Sequence, residues 1–221
     1  MAGLLAANMM RRKKPLVVEA KADLPDLHKP VLRFRNTSVS DVTGIPFEKI
    51  RVDKSMMTER GFVNQPTVFD ANNYSLKATG GLENRSVWNL EKSQRYLAPD
   101  NFVELMASST KINFGIKIGL GDLKSFKEEG DLTISTIPMP IMMGIVGWDS
   151  FIDFKANCKP IWVLRATLKR PLSKIHQTIY NTDISTAWYR GSIHRGDLMI
   201  ECDVDPTTIS EHVVESFIKC L

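Results

Sequence analysis

The stretch that decides the fold class is the opening one, Met1–Ala20, which reads MAGLLAANMMRRKKPLVVEA. Ala2 to Arg12 holds good helix formers with apolar residues nearly all round, so it predicts a helix buried on most sides. Its basic end suits the negative pole of the helix dipole. Pro15 stops that helix. Leu16-Val17-Val18-Glu19-Ala20 is then a short apolar run, rich in β-branched residues and closing on one acid, the pattern of a buried parallel strand. In a dinucleotide-binding fold, a G-x-G-x-x-G turn joins the first strand to the first helix, and an acid about 20 residues on holds the ribose hydroxyls. With Gly3 as the third glycine, where helix and strand pack closely, Glu19 ends the second strand at the right distance. The first strand and the first two glycines would fall before Met1.

Downstream, prolines and charges between Asp23 and Pro30 mark a loop, and Val31 to Arg35 alternates so that Arg33 and Arg35 face one way. From Val39 to Arg95 the chain reads as short β-like pieces broken by turn signals, with no long helix. Asn101 to Ser108, after Pro99-Asp100, predicts a capped amphipathic helix with Phe102, Leu105 and Met106 on one side. Lys111 to Ile118 alternates as a strand, and Leu132-Thr133-Ile134-Ser135-Thr136-Ile137 reads as another buried strand, ended by Pro138 and Pro140. The last third is strand-rich: Ile161 to Thr167, Ile175 to Tyr180, Trp188 to Ile193 and Leu198 to Cys202, with a hairpin turn at Arg195-Gly196-Asp197. A closing helix runs over Ser210 to Leu221. These pieces predict an α/β protein, α+β overall. A partial Rossmann-like domain spans 1–50 and 95–145, and a mainly antiparallel β-sheet module spans 51–94 and 146–221.

Composition narrows the function classes. The chain has 221 residues, 29 Lys+Arg against 25 Asp+Glu, and 43% hydrophobic content, so it has the makings of a full globular core. The basic residues are spread along the chain, which speaks against a nucleic-acid footprint. No run reaches the roughly 18 apolar residues of a membrane span, and the apolar-then-basic opening reverses the order of a secretory signal. Cytoplasmic location is the expectation. Cys158, Cys202 and Cys220 have no histidine at ligand spacing, so no metal site is expected; His28, His176, His194 and His212 show no triad order. Asn36-Thr37-Ser38, Asn73-Tyr74-Ser75 and Asn84-Arg85-Ser86 match the glycosylation acceptor pattern, which carries weight only in a secreted chain. Gly115, Gly119 and Gly121 read as turn glycines, because no Gly-Lys-Ser/Thr follows.

M-A-G-L-L-A-A-N-M-M-R-R followed by P-L-V-V-E-A resembles the opening of FAD-dependent enzymes of the amine-oxidase and UDP-galactopyranose-mutase type. Later stretches are similar to the same broad group, including forms encoded by bacteriophages: L-R-F-R at Arg33, A-N-N-Y-S-L-K from Ala71, W-N-L-E-K-S-Q-R-Y-L-A-P from Trp88, D-L-T-I-S-T-I-P-M-P from Asp131 and W-Y-R-G-S-I from Trp188. The resemblance implies FAD as cofactor, with Gly3 beside the pyrophosphate and Glu19 on the adenosine ribose. Arg33 or Arg35 would reach the cofactor, and the backbone around Ile112 and Asn113 would meet the adenine. It also implies a small-molecule substrate, a nucleotide sugar in the mutase case, lined by Tyr189 and Arg190. From the residues alone, Glu19 can equally be a solvent-facing strand-end acid, Arg33 and Arg35 a solvated face, and Tyr189-Arg190 a cross-strand pair. Oxidase and mutase chemistry both stay open, and no catalytic residue is assigned. The chain is short for this group at both ends, so the alternative is a truncated, non-catalytic relative serving as a binding or assembly module, with a partner chain completing the fold.

Overall fold

The structure, a computed structural model, describes residues 2–24, 32–82, 87, 90–129, 132–148, 161–169, 176–202, 205 and 210–219. His28, the acceptor pattern at Asn84, the start of the Trp88 stretch, Asp131, Cys158 and Cys220 lie outside them. In chain order the elements begin with α1 (Ala2–Met9), a 3-10 turn (Arg11–Lys13), β1 (Leu16–Glu19), β2 (Arg33–Phe34), α2 (Ser38–Thr43), β3 (Glu48–Thr58), β4 (Gly61–Val63), α3 (Val68–Thr79) and β5 (Ser93–Leu97). There follow α4 (Phe102–Ala107), β6 (Lys111–Phe114), α5 (Leu120–Glu128), α6 (Met139–Val146), β7 (Trp162–Thr167), β8 (His176–Asn181), β9 (Trp188–His194), β10 (Asp197–Cys202) and α7 (Ser210–Ile218). The chain is thus a mixed α/β protein, and it divides into two compact units, each assembled from three segments: 1–27, 36–47 and 98–158, then 28–35, 48–97 and 159–221.

In the first unit β1 and β6 pair in parallel, Val17 opposite Ile112 and Val18 opposite Asn113. Parallel pairing needs a long crossover, and the chain supplies it between Ala20 and Thr110. Helix α1 lies against this pair. A Cβ on Gly3 would stand 3.4 Å from Thr136 Oγ1 and 3.9 Å from Val17 Cγ1, ordinary contact distances, so this position faces β1 and the Leu132–Ile137 segment without requiring a glycine. Asn8 fixes the other side of α1 by donating to the Leu4 carbonyl (3.0 Å) and to the Met106 carbonyl in the last turn of α4 (3.1 Å). Phe102 and Met106 of α4 are buried, but Leu105 is 41% exposed, so the apolar face of that helix is narrower than its sequence suggests. Leu132–Ile137 departs furthest from expectation. It joins no ladder and is exposed along almost all its length, because no strand stands beside it among the described residues.

The second unit is built on one mixed sheet of order β2-β5-β3-β8-β9-β10-β7, with β4 paired to β3. Among the described residues of this unit β3 and β8 pair in parallel and the other ladders are antiparallel. The β9–β10 hairpin turns on Arg195 (φ 53°) and Gly196 (φ 115°), two positive φ values in succession, as a turn matched to strand twist requires. One sheet face packs on α7, burying Ile179, Trp188, Ile200 and Cys202 against Val213 and Phe217. Gly191 lies under the Phe217 ring, where any Cβ would fall 2.0 Å from Cε2. The opposite face packs on α3, burying Met56, Ala71, Tyr74 and Tyr189. The region expected to hold only short β pieces therefore contains an eleven-residue strand, β3, and a twelve-residue helix, α3.

Candidate functional site

Four of the expected residues, Gly3, Glu19, Ile112 and Asn113, belong to the first unit, and four, Arg33, Arg35, Tyr189 and Arg190, belong to the second. In the first unit Glu19 closes β1, and its carboxylate accepts the Lys21 N–H at 3.0 Å. The turns leaving β1 and β6 are tied together: Ile116 N–H donates to the Glu19 carbonyl (3.1 Å) and Gly115 N–H to the Lys21 carbonyl (2.9 Å). Gly115 makes this possible with a φ of 72°. Along one side of β6 lies an open depression of about 670 Å³, lined by Thr110, Ile112 and Phe114, by Glu104 of α4, and by Asp23 and Leu24 after β1 among others. Asp23 and Glu104 supply acceptors and negative charge, which suits hydroxyl and amino groups rather than phosphate.

In the second unit, β9 and β10 are in register up to Arg190 opposite Glu201; then Trp188 stands opposite Cys202, so Tyr189 is one residue too many. This is a β-bulge, and it turns neighbouring side chains to one face of the sheet. Tyr189 Oη donates to Glu201 Oε2 at 2.9 Å, while Arg190 reaches Glu201 Oε1 through Nε (2.9 Å) and Nη2. Glu201 is 3% exposed, so its charge depends on these donors. Burial and then the adjacent Glu201 carboxylate push the Tyr189 hydroxyl well above the usual phenol range. Burial works against the Arg190 charge, but Glu201 outweighs it and raises its pKa. Tyr74 of α3 packs edge-on against Tyr180 (5.3 Å between ring centroids) and at a tilt against Tyr189 (6.3 Å).

No family model matches this chain, and no curated protein matches its sequence.

On the same face as Arg190 the registers place Lys54 opposite Thr178, Tyr180 opposite Arg190, Arg95 opposite Ile50 and Arg33 opposite Leu97. Arg33 is four places from β9 in strand order, yet its guanidinium is near enough to Tyr180 and Arg190 for both to shift its pKa, so the sheet curls and brings these side chains together on one face. Burial, then Arg95 and Arg190, bring the Arg33 pKa down to about 10. Lys54 is lowered by burial and by Arg95 and Arg35. Arg35 itself is exposed beyond the end of β2. This face thus gathers like charges around tyrosine rings, an arrangement that favours an anionic, ring-bearing ligand.

Lys54, Arg95, Tyr180 and Glu201 were not among the sequence candidates. Glu201 carried a readable signal, since a lone acid inside the apolar run Leu198–Cys202 must find a partner if buried. Lys54 in β3 and Arg95 in β5 carried none, because each is one of several charged or polar residues in its strand. Among the described residues no group of three or more His, Cys, Asp or Glu side chains is placed to hold a metal ion, and no helix is long and apolar enough to cross a membrane.

Proposed function

We propose that this chain is an FAD-binding protein of the amine-oxidase and UDP-galactopyranose-mutase type. In this proposal the first unit holds the adenosine end of the cofactor in a Rossmann-like arrangement, and the second holds a small anionic substrate such as a nucleotide sugar. The observation that carries it is Glu19 closing β1, one strand of the parallel pair β1–β6, with helix α1 packed against that strand. The residues fit the group in two respects: Glu19 offers an acceptor for ribose hydroxyls, and β6, which carries Ile112 and Asn113, runs along the depression with Ile112 in its lining. Bound FAD would supply hydride acceptance or, when reduced, a nucleophile toward a sugar. Tyr189 and Arg190 would orient the substrate, with Glu201 holding both in place. Arg33 would serve this substrate face, given its place beside Arg190 and Tyr180.

The test is reconstitution. Purified protein mixed with FAD is expected to retain flavin absorbance through gel filtration and to melt at higher temperature. Glu19→Ala is expected to weaken FAD binding roughly tenfold, the scale of one charged hydrogen bond. Absence of both flavin absorbance and thermal shift would sink the proposal.

A further inference from the structure

We infer that the first unit pairs with a second copy of this chain by parallel strand exchange between the open edge of β1 and the segment Leu132–Ile137. Independent of the cofactor proposal, the inference starts from β1, a continuous apolar run of the kind found within parallel sheets. Among the described residues β1 has a partner on one side only, β6. Its Glu19 carbonyl accepts from Ile116 on the β6 side. Strand alternation therefore points the N–H and C=O groups of Leu16 and Val18 toward the other edge. Leu16 is 52% exposed. Unpaired strand edges of this kind template the addition of a further strand.

Leu132–Ile137 is the matching half. Its sequence, L-T-I-S-T-I, has strand character, yet it belongs to no ladder, and Leu132 is 79% and Ile134 52% exposed. Thr136 and Val17 both approach Gly3 of α1, but within one chain the two segments form no ladder with one another. The flanking charges identify the partner and its direction. β1 follows Arg11, Arg12, Lys13 and Lys14, whereas Leu132 follows Glu128, Glu129 and Asp131. Parallel pairing sets the four cations beside the three acids, while antiparallel pairing would set Glu19 beside those acids. Each copy carries both halves, so one two-fold axis satisfies both edges and closes the assembly. Exposed apolar residues continue from the segment into α6, with Met139 at 62% and Ile141 at 56%, as expected of a surface covered on association.

The experiment is light scattering on the full chain over a concentration series. Wild type is expected to go from monomer to a closed dimer. Ile134→Pro removes a donor from an exposed segment outside every ladder, so the variant is expected to keep its circular dichroism and remain a monomer. Val18→Pro removes a donor from the open edge and is also expected to be monomeric. A mixture of the two variants retains one intact edge and one intact segment, and is expected to recover a weaker dimer. A wild-type protein that stays monomeric, an Ile134→Pro protein that dimerises like wild type, or growth beyond the dimer into open-ended oligomers would each overturn the inference.

Discussion

Tyr189, Arg190 and Glu201 show how one extra residue creates a polar cluster. A regular strand would send Tyr189 and Arg190 to opposite faces; the bulge brings both onto Glu201, which lies buried in β10. Replacing Glu201 by Gln removes the charge that Arg190 neutralises and one of the acceptor sites. The expected cost is about 1–3 kcal/mol, at the lower end because the Arg190 side chain is 38% exposed. Urea unfolding of Glu201→Gln measures it. The same substitution is expected to lower the Tyr189 pKa, since a carboxylate that opposes phenolate formation is gone; ultraviolet titration of tyrosine reads this. The pairing of Tyr189 with Arg190 was legible as a motif. Its cause was not, because a bulge depends on the register of a partner strand that no local pattern reveals.

Helix α3 was hidden by its composition. V-F-D-A-N-N-Y-S-L-K-A-T contains two Asn and a weak apolar stripe, so periodicity alone reads it as irregular. The residues before it held the better signal, T-V-F-D, a box in which Asp70 N–H donates to Thr67 Oγ1 (3.2 Å) and Thr67 N–H to Asp70 Oδ2 (2.9 Å). Burial of Asp70 opposes its charge, but the Thr67 donors and Arg60 prevail and hold its pKa below the usual carboxylate range. Thr67→Ala is expected to cost about 1 kcal/mol in thermal or denaturant unfolding, with Thr67→Ser close to neutral. A drop much smaller than this would mean that packing of Tyr74 and Ala71, rather than the cap, holds the helix. Leu132–Ile137 is the opposite case: its residues favour a strand, but a strand forms only beside another, and neighbours are a property of the whole chain.

Across the second unit, the parts of the sheet close in sequence were readable, and the long-range pairings were not. Hairpin β9–β10 announced itself through Arg195-Gly196, whereas the β3–β8 ladder joins residues more than a hundred positions apart. Such an assembly carries a pH signature. His176 and His194 face one another across β8 and β9 with ring centroids 4.8 Å apart, at 7% and 2% exposure. Burial, then Arg33 and Arg195, lower the His176 pKa, and Glu48 only partly opposes them. The unfolded chain therefore takes up a proton first as pH falls. The stability contributed by neutral His176 is complete above the unfolded histidine value of about 6.5 and is lost as pH falls through the lower folded value. Thermal midpoints are expected to decline from pH 7 to pH 5, and His176→Gln, which needs no proton, is expected to flatten that decline. The bulge has a last consequence for how this sheet tolerates insertions and deletions. Trp188 faces α7 and Arg190 faces α3, as in two consecutive residues of a regular strand. A chain lacking Tyr189 would keep every other side chain on its present face, whereas loss of one residue from the middle of β8 or β10 would turn part of that strand inside out. Position 189 is therefore where the length of this strand can change by one without rewriting the sheet.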